Sequence, residues 1–240
     1  MSKAEYSLFE IFNSIEGEFP KSGISSTFVR FPICNYTCSW CDTMQNPKNK
    51  PRKFTIEEIL VNVKKTNAIT FTGGEPSLFI DQICSIIDAI IDAEIYIKFI
   101  KIETNGSALE QLTTTLRSKY GKMFGSSYNS TFVISWSPKF YNKTVKDISF
   151  SAMYNEYDPT NTYVKVVLDP KIKPVLMKFI NGFIEHYGEY GKSKFAIMPL
   201  SITVNGVGTT SDPKSLDFLH ELSDKKLNVS LRFHEILKVK

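Results

Sequence analysis

The sequence predicts an α/β protein, an incomplete (β/α) barrel of about six mostly parallel strands. Two observations lead there. Short β-branched and aromatic runs alternate with stretches of helical apolar spacing along most of the chain, and strands alternating with helices pair in parallel. Polar sequences then follow those runs: GGEP at 73–76, ETNG at 103–106, SPK at 137–139 and PLS at 199–201. In parallel α/β folds the C-terminal strand edge is where ligands bind, so these sequences are expected on one rim. A cysteine loop follows a strand in the same way.

The chain has 240 residues, 42% apolar and 22% charged, enough to bury a sizeable core. No repeat, low-complexity tail or linker divides it, so a single domain over 1–240 is expected. The net charge of +4 is mild, and no basic stripe with interleaved aromatics occurs, so nucleic acid is not an expected partner. The first residues, MSKAEYSLFEIF, lack a signal-peptide apolar run, and no stretch reaches about 18 apolar residues. A cytoplasmic protein without membrane contact is expected. Cysteines stay reduced there.

Leu8 to Ile15 reads as a short apolar strand or turn leading into EGEFP. Glu16 and Glu18 flank Gly17; a solvated turn and a pair of carboxylates aimed at a polar ligand are both open. Thr27 to Ile33 is a strand by its β-branched and aromatic content. Arg30 interrupts it, so one strand face meets something polar, or surface. Asn46 to Lys53 is a basic connector, solvated or anion-steering. Thr55 to Glu58 has the form of a capping box, and Ile56, Ile59, Leu60 and Val63 give the helical face that follows.

Ala68 to Thr72 is the next strand, running into Gly73, Gly74 and Glu75, where paired glycines let a ligand approach the backbone and the carboxylate offers an ammonium acceptor. A helix around Cys84, a strand over Ile95 to Ile102, a helix from near Ser107 and a strand over Thr131 to Trp136 continue the alternation. Phe150 to Thr162 is polar loop. Tyr163 to Leu168 is a strand, Asp169-Pro170 opens a helix, Lys194 to Met198 is a strand, Asp212-Pro213 opens another helix, and Asn228 to Phe233 is the last strand.

Phe28 to Thr43 carries the chemistry. It holds Cys34, Cys38 and Cys41, three of the chain's four cysteines, spaced C-x3-C-x2-C. A structural zinc or an electron-transfer cluster usually takes four protein ligands. A 4Fe–4S cluster on three cysteines leaves one iron open, the arrangement that the amino and carboxylate groups of S-adenosylmethionine can chelate. Zinc completed by a distant histidine is the alternative, although His186, His220 and His234 all lie far along the chain. Cys84 sits among Ile83, Ile86, Ile87, Ile90 and Ile91 and reads as a buried structural thiol.

Together, SIEGE, FVRFPICNYTCSWCDT, FTGGEP, ETNG, SPK and PLS resemble the 7-carboxy-7-deazaguanine synthase family of radical S-adenosylmethionine enzymes. The motifs run in the same order from about Phe9 to Ser201. The cysteine spacing is superfamily-wide; WCDT with an upstream arginine strand and an E-G-E turn is more specific, and separates the chain from glycyl-radical activating enzymes. The resemblance implies a radical-SAM barrel and a reaction. One electron from a reduced 4Fe–4S cluster cleaves S-adenosylmethionine, and the 5′-deoxyadenosyl radical takes a hydrogen from 6-carboxy-5,6,7,8-tetrahydropterin. Ring contraction with loss of ammonia gives 7-carboxy-7-deazaguanine, S-adenosylmethionine is regenerated, and Mg²⁺ is used.

The resemblance also implies roles. Cys34, Cys38 and Cys41 hold the cluster. Gly73, Gly74 and Glu75, Trp40 to Asp42 (Trp40, Cys41, Asp42), Ser137, Pro138 and Lys139, and Met198, Pro199, Leu200 and Ser201 meet S-adenosylmethionine. Thr43 meets Mg²⁺, while Ile15, Glu16, Gly17, Glu18, Arg30 and Thr72 meet the pterin. A homodimer and a protein electron donor such as flavodoxin or ferredoxin are implied. Two positions depart from the family, which usually has Gln at Glu16 and Gly at Phe19. A carboxylate only accepts hydrogen bonds unless protonated. The segment Arg232 to Lys240 matches loosely, and no substrate role is carried onto it.

Overall fold

The computed structural model describes residues 5–39, 41, 43, 50–127, 131–140, 160–204, 208–232 and 236–237. A two-stranded antiparallel ribbon pairs β1 (Glu5–Leu8) with β4 (Arg52–Thr55). The main sheet contains β2 (Glu10–Ile15), β3 (Ser25–Phe31), β5 (Ala68–Gly73), β6 (Phe99–Thr104), β7 (Phe132–Trp136), β8 (Thr162–Leu168) and β9 (Phe195–Pro199). After a hairpin of β10 (Ser201–Val204) and β11 (Gly208–Ser211), the short β12 (Asn228–Val229) completes it. The strand order is β12-β9-β8-β7-β6-β5-β3-β2; all neighbours are parallel except β2, which runs antiparallel to β3. The sheet is therefore mostly parallel, as expected, with eight strands among the described residues where about six were expected.

Five α-helices are described: α1 (Ile56–Thr66), α2 (Ile80–Asp92), α3 (Leu109–Phe124), α4 (Lys173–Ser193) and α5 (Pro213–Glu221). The capping box forms on α1: the Thr55 hydroxyl accepts from Glu58 N at 3.3 Å while Thr55 N donates to Glu58 Oε2 at 2.7 Å. Asp212 caps α5 through Ser215 N. Side chains alternate along each strand. Val29, Phe31, Ile69, Phe71, Ile100, Ile102, Ile134 and Val166 join helix residues such as Ile83, Ile87, Leu112 and Phe179 in one buried apolar core. The residues between them, on the opposite sheet face, are largely polar.

Several boundaries differ from expectation. The strand expected over Ile95 to Ile102 begins at Phe99, because Ile95 N still bonds to Ile90 O at the end of α2. Arg52 and Lys53, read as part of a solvated connector, pair with β1. The strand expected over Asn228 to Phe233 comprises Asn228–Val229 among the described residues. Pro170–Ile172 forms a 3₁₀ turn before α4, with the Asp169 carboxylate accepting from Lys171 N at 2.9 Å. Most of the polar segment Phe150 to Thr162 lies outside the described residues, although Thr162 itself opens β8.

Candidate active site

The C-terminal ends of the parallel strands form a rim. Gly73 has φ +103, and a Cβ on Gly74 would stand 2.0 Å from the Ile33 carbonyl oxygen. The glycines admit a strand crossing: Gly74 N donates to Phe31 O at 2.8 Å, and Glu75 N to Ile33 O at 2.7 Å. The backbone that approaches them is thus the base of the cysteine loop. Glu75 is buried and well used. Its Oε1 accepts from Ser77 N and from the Thr104 hydroxyl, and its Oε2 from Asn105 N at 2.7 Å. Asn105 donates onward to Asn35 in the cysteine loop at 2.9 Å. Glycine is needed again at 106, where a Cβ would meet the Trp136 ring nitrogen at 2.1 Å.

Cys34, Cys38 and Cys41 face one pocket beside this rim, while Cys84 is buried in α2 outside it. Burial pushes the Cys34 and Cys38 thiols above the ordinary range, so a bound metal centre would have to supply the charge that makes them thiolates. Among the described residues no three His, Cys, Asp or Glu side chains come near enough to share one metal ion. A cubane cluster does not ask for that, since each of three irons takes one thiolate. Lys139 enters the same pocket and donates to the Ser137 hydroxyl at 3.0 Å; burial pulls its amine below the usual lysine range.

The floor comes from a different part of the chain. The loop between β2 and β3 is pinned by Glu16 N to Ile24 O and Gly23 N to Glu16 O, and it passes beneath the parallel strands. Phe19 N donates to the Ser230 hydroxyl at 3.0 Å, beyond the far-edge strand, and the Phe19 ring meets Tyr163 edge-on at 5.5 Å. This carries the E-G-E turn into the middle of the sheet. Lys101 on β6 is fully buried there, with Nζ 2.9 Å from Glu16 Oε1 and 3.0 Å from Glu103 Oε1. Lys165 on β8 pairs with Glu18 Oε2 and with Glu103 Oε1, and Arg232 lies 3.4 Å from Glu18 Oε1.

Burial opposes charge on all these carboxyls, and the neighbours decide the outcome. Lys165 and Lys101 outweigh burial at Glu103 and hold it well below the usual carboxylate range. Lys165 and Arg232 do the same for Glu18. At Glu16 burial prevails over Lys101, and the carboxyl is pushed up. Burial would lower Lys165, yet Glu103 and Glu18 raise it above the ordinary lysine range. Glu103, 24% exposed at its side chain, opens to the pocket.

On the β2–β3 wall Arg30 faces the pocket, while Val29 and Phe31 go to the core. Its Nε is 2.9 Å from Glu10 Oε1, its guanidinium lies over the Phe12 ring, and Nη1 donates to the buried Thr43 hydroxyl at 2.8 Å. Phe12 and Phe28 stack at 5.0 Å, giving a flat apolar surface next to these charges.

The expected site residues divide clearly. Ile15, Gly17, Glu18, Glu16, Arg30, Thr43 and Thr72 line the same pocket as the cysteines, with Gly73, Gly74, Glu75, Ser137, Lys139 and Met198. Pro138, Pro199, Leu200 and Ser201 do not line it; Leu200 N and O instead bond to Ser215 and Asp212, holding the β10–β11 hairpin to α5. Trp40 and Asp42 lie outside the described residues. The sequence points to Glu103 only as part of ETNG, gives no role to Lys101, Lys165 or Ser135, and leaves Arg232 aside, although all of these except Lys101 line the pocket. The signal was present: FIKIET and YVKVVL each place a lysine inside an apolar strand of a parallel sheet, a sheet type generally covered on both faces.

The chain matches the Radical SAM superfamily over residues 28–122. It is 42% identical over 100 residues to the 7-carboxy-7-deazaguanine synthase of Bacteroides thetaiotaomicron, covering 41% of this chain and 50% of that protein. It is 36% identical over 155 residues to the 7-carboxy-7-deazaguanine synthase of Clostridium acetobutylicum, covering 60% of this chain and 66% of that one. The matched regions thus span about half to two thirds of these relatives' length. In fold the chain is similar to QueE from Escherichia coli, with TM-score 0.56 and 14% identity over 94% of this chain and 93% of that one. The chain belongs to the radical S-adenosylmethionine superfamily, within which its sequence groups with the 7-carboxy-7-deazaguanine synthases.

Proposed function

We propose that the chain converts 6-carboxy-5,6,7,8-tetrahydropterin to 7-carboxy-7-deazaguanine with loss of ammonia, using S-adenosylmethionine. The observation that carries this reading is one pocket with two unlike ends, three cysteines at the rim and a set of fixed carboxylates and cations below. Cys34, Cys38 and Cys41 are the residues that would hold a 4Fe–4S cluster, and reductive cleavage of S-adenosylmethionine is the chemistry it would supply. The electron would come from a protein donor such as flavodoxin or ferredoxin.

The chain's own residues bind and orient. Gly73 and Gly74 leave room at the rim for the methionine end of the cofactor, with Lys139 and Met198 on the far wall. Arg30 offers a guanidinium for the pterin's carboxylate, a charge-assisted pairing with planar geometry. The Phe12–Phe28 stack suits a flat bicyclic ring, and Glu18 and Glu103 provide acceptors for its N–H edge. Thr43 is the proposed Mg²⁺ contact. Its hydroxyl already accepts from Arg30, and one hydroxyl beside a guanidinium does not hold Mg²⁺ alone; the fit requires the ligand's carboxylate and water. Among the described residues no helix is long and apolar enough to cross a membrane.

The test is anaerobic incubation of the iron-reconstituted chain with the carboxytetrahydropterin, S-adenosylmethionine, Mg²⁺ and a reductant, followed by mass analysis. The expected result is the deazaguanine product with ammonia. Cleavage of S-adenosylmethionine with the pterin unchanged would move the chain to another radical reaction, such as activation of a glycyl-radical protein.

A further inference from the structure

Lys101 is the most completely buried charge of the floor, at 0% side-chain exposure, and no role above uses it. An ammonium has three N–H donors and no acceptor. Lys101 Nζ has three acceptors in reach: Glu16 Oε1 at 2.9 Å, Glu103 Oε1 at 3.0 Å and the Glu18 carbonyl oxygen at 3.1 Å. Its donors are therefore accounted for, and it does not line the pocket. Glu16 is similarly occupied. Its Oε1 faces Lys101 and lies 3.4 Å from Glu18 N, and its Oε2 accepts from the Thr70 hydroxyl at 2.9 Å, which in turn bonds Ser26. At 2% exposure Glu16 presents little surface to a ligand, although it sits at the pocket's edge.

Glu103 differs. Lys101 and Lys165 both take its Oε1, while Oε2 receives the Thr72 hydroxyl at a longer 3.3 Å, and Thr72 and Glu103 both line the pocket. We propose that Lys101 is a positioning residue that selects which oxygen of Glu103 meets the ligand's N–H edge, with Glu16 as its buried counter-charge. Lys101 ties the β2–β3 loop to β6 through one nitrogen, so the spacing between Glu18 and Glu103 is set by the same atom. Lys165 reinforces that spacing from β8, bridging both carboxylates. The ligand class this favours is a flat heterocycle with adjacent N–H donors.

This inference rests on the proposed pterin reading, and the experiment separates the two. Lys101→Met, Lys101→Arg and the double variant Lys101→Met with Glu16→Gln are assayed with the carboxytetrahydropterin for KM, kcat and the pH profile of kcat/KM. Lys101→Met should raise KM about tenfold to a hundredfold, because a misaimed acceptor weakens orientation. It should also move the acid limb of kcat/KM to higher pH, since Glu103 loses one of the cations that depress it. Lys101→Arg should recover the acid limb better than KM, as a planar fork restores charge without the three-way geometry. The double variant leaves no unpaired buried carboxylate at position 16. It should regain thermal stability but not KM, and it carries the test where Lys101→Met does not fold. Parent-like KM and acid limb in a folded variant lacking Lys101 overturn the inference alone. A parent that does not act on the pterin overturns the functional reading and this inference with it.

Discussion

The rim and the floor of the pocket are held by different forces. At the rim the contacts are short, mostly backbone, and depend on missing side chains: Gly74 lets β5 lie against Ile33, and Gly106 lets the ETNG turn lie under Trp136. Glu75 is the rim's carboxylate, and it accepts from two backbone N–H groups and one hydroxyl. At the floor the contacts are between full charges on separate strands: Lys101, Lys165 and Arg232 against Glu16, Glu18 and Glu103. A rim of this kind is set by backbone geometry, suited to seating a cluster loop. The floor's electrostatics, in contrast, depend on every member being present, because removing one partner of a buried pair strands the other.

That contrast allows ordered predictions. The largest effect should come from Lys165→Met, which leaves Glu18 and Glu103 short of a cation; urea unfolding of the reduced protein should show a loss of about 3–5 kcal/mol. A loss under about 1 kcal/mol would mean that solvent screens the floor as it does a surface pair. Next is Gly74→Ala, whose Cβ would sit 2.0 Å from Ile33 O. Its cost should be about 2–3 kcal/mol, with poorer retention of iron by the displaced cysteine loop. Parent-like iron content and stability would show that the crossing relaxes freely.

A third test uses pH. Glu103 and Glu18 are depressed relative to an ordinary value of 4.5, so their stabilisation is present above that value and lost as pH falls below it. Between about pH 6 and pH 3, Glu103→Gln should flatten the parent's loss of stability. Glu16, raised by burial, has the opposite sign: its contribution grows as pH falls, so Glu16→Gln should steepen that loss. Identical slopes in parent and Glu103→Gln would remove Glu103 from the floor's balance. The smallest effect should be that of Thr72→Val, which deletes a hydroxyl donor 3.3 Å from Glu103 Oε2 and should cost about 0.5–1.5 kcal/mol by thermal unfolding.

The rim was legible in the sequence and the floor was not, for a physical reason. Glycine pairs, cysteine spacing and a capping box are local: each constrains the backbone within a few residues, so FTGGEP and the cysteine loop could be read where they stand. The floor needs Glu16, Lys101, Lys165 and Arg232 to meet from four distant segments, and only the turn of the β2–β3 loop beneath the sheet brings them together. Glu16, expected at the ligand, does line the pocket, and what its sequence position does not show is that its oxygens also reach Lys101 and Thr70. Phe19 shows the same limit, since its role beneath the strands depends on Tyr163 and Ser230. Arg30 was legible in part: a charge inside an apolar strand marked a polar face, but its pairing with Glu10 followed from the antiparallel register of β2.

Under the proposed function, Cys34, Cys38 and Cys41 would hold a cluster that cleaves S-adenosylmethionine. The direct measurement is anaerobic reconstitution of the parent, Cys34→Ala and Cys84→Ala, with iron and sulfide counted and methionine release followed after reduction. About four irons per chain are expected in the parent and in Cys84→Ala, with methionine released by both, and loss of cleavage in Cys34→Ala. Full iron content and cleavage in Cys34→Ala, or loss of iron in a folded Cys84→Ala, would contradict that role.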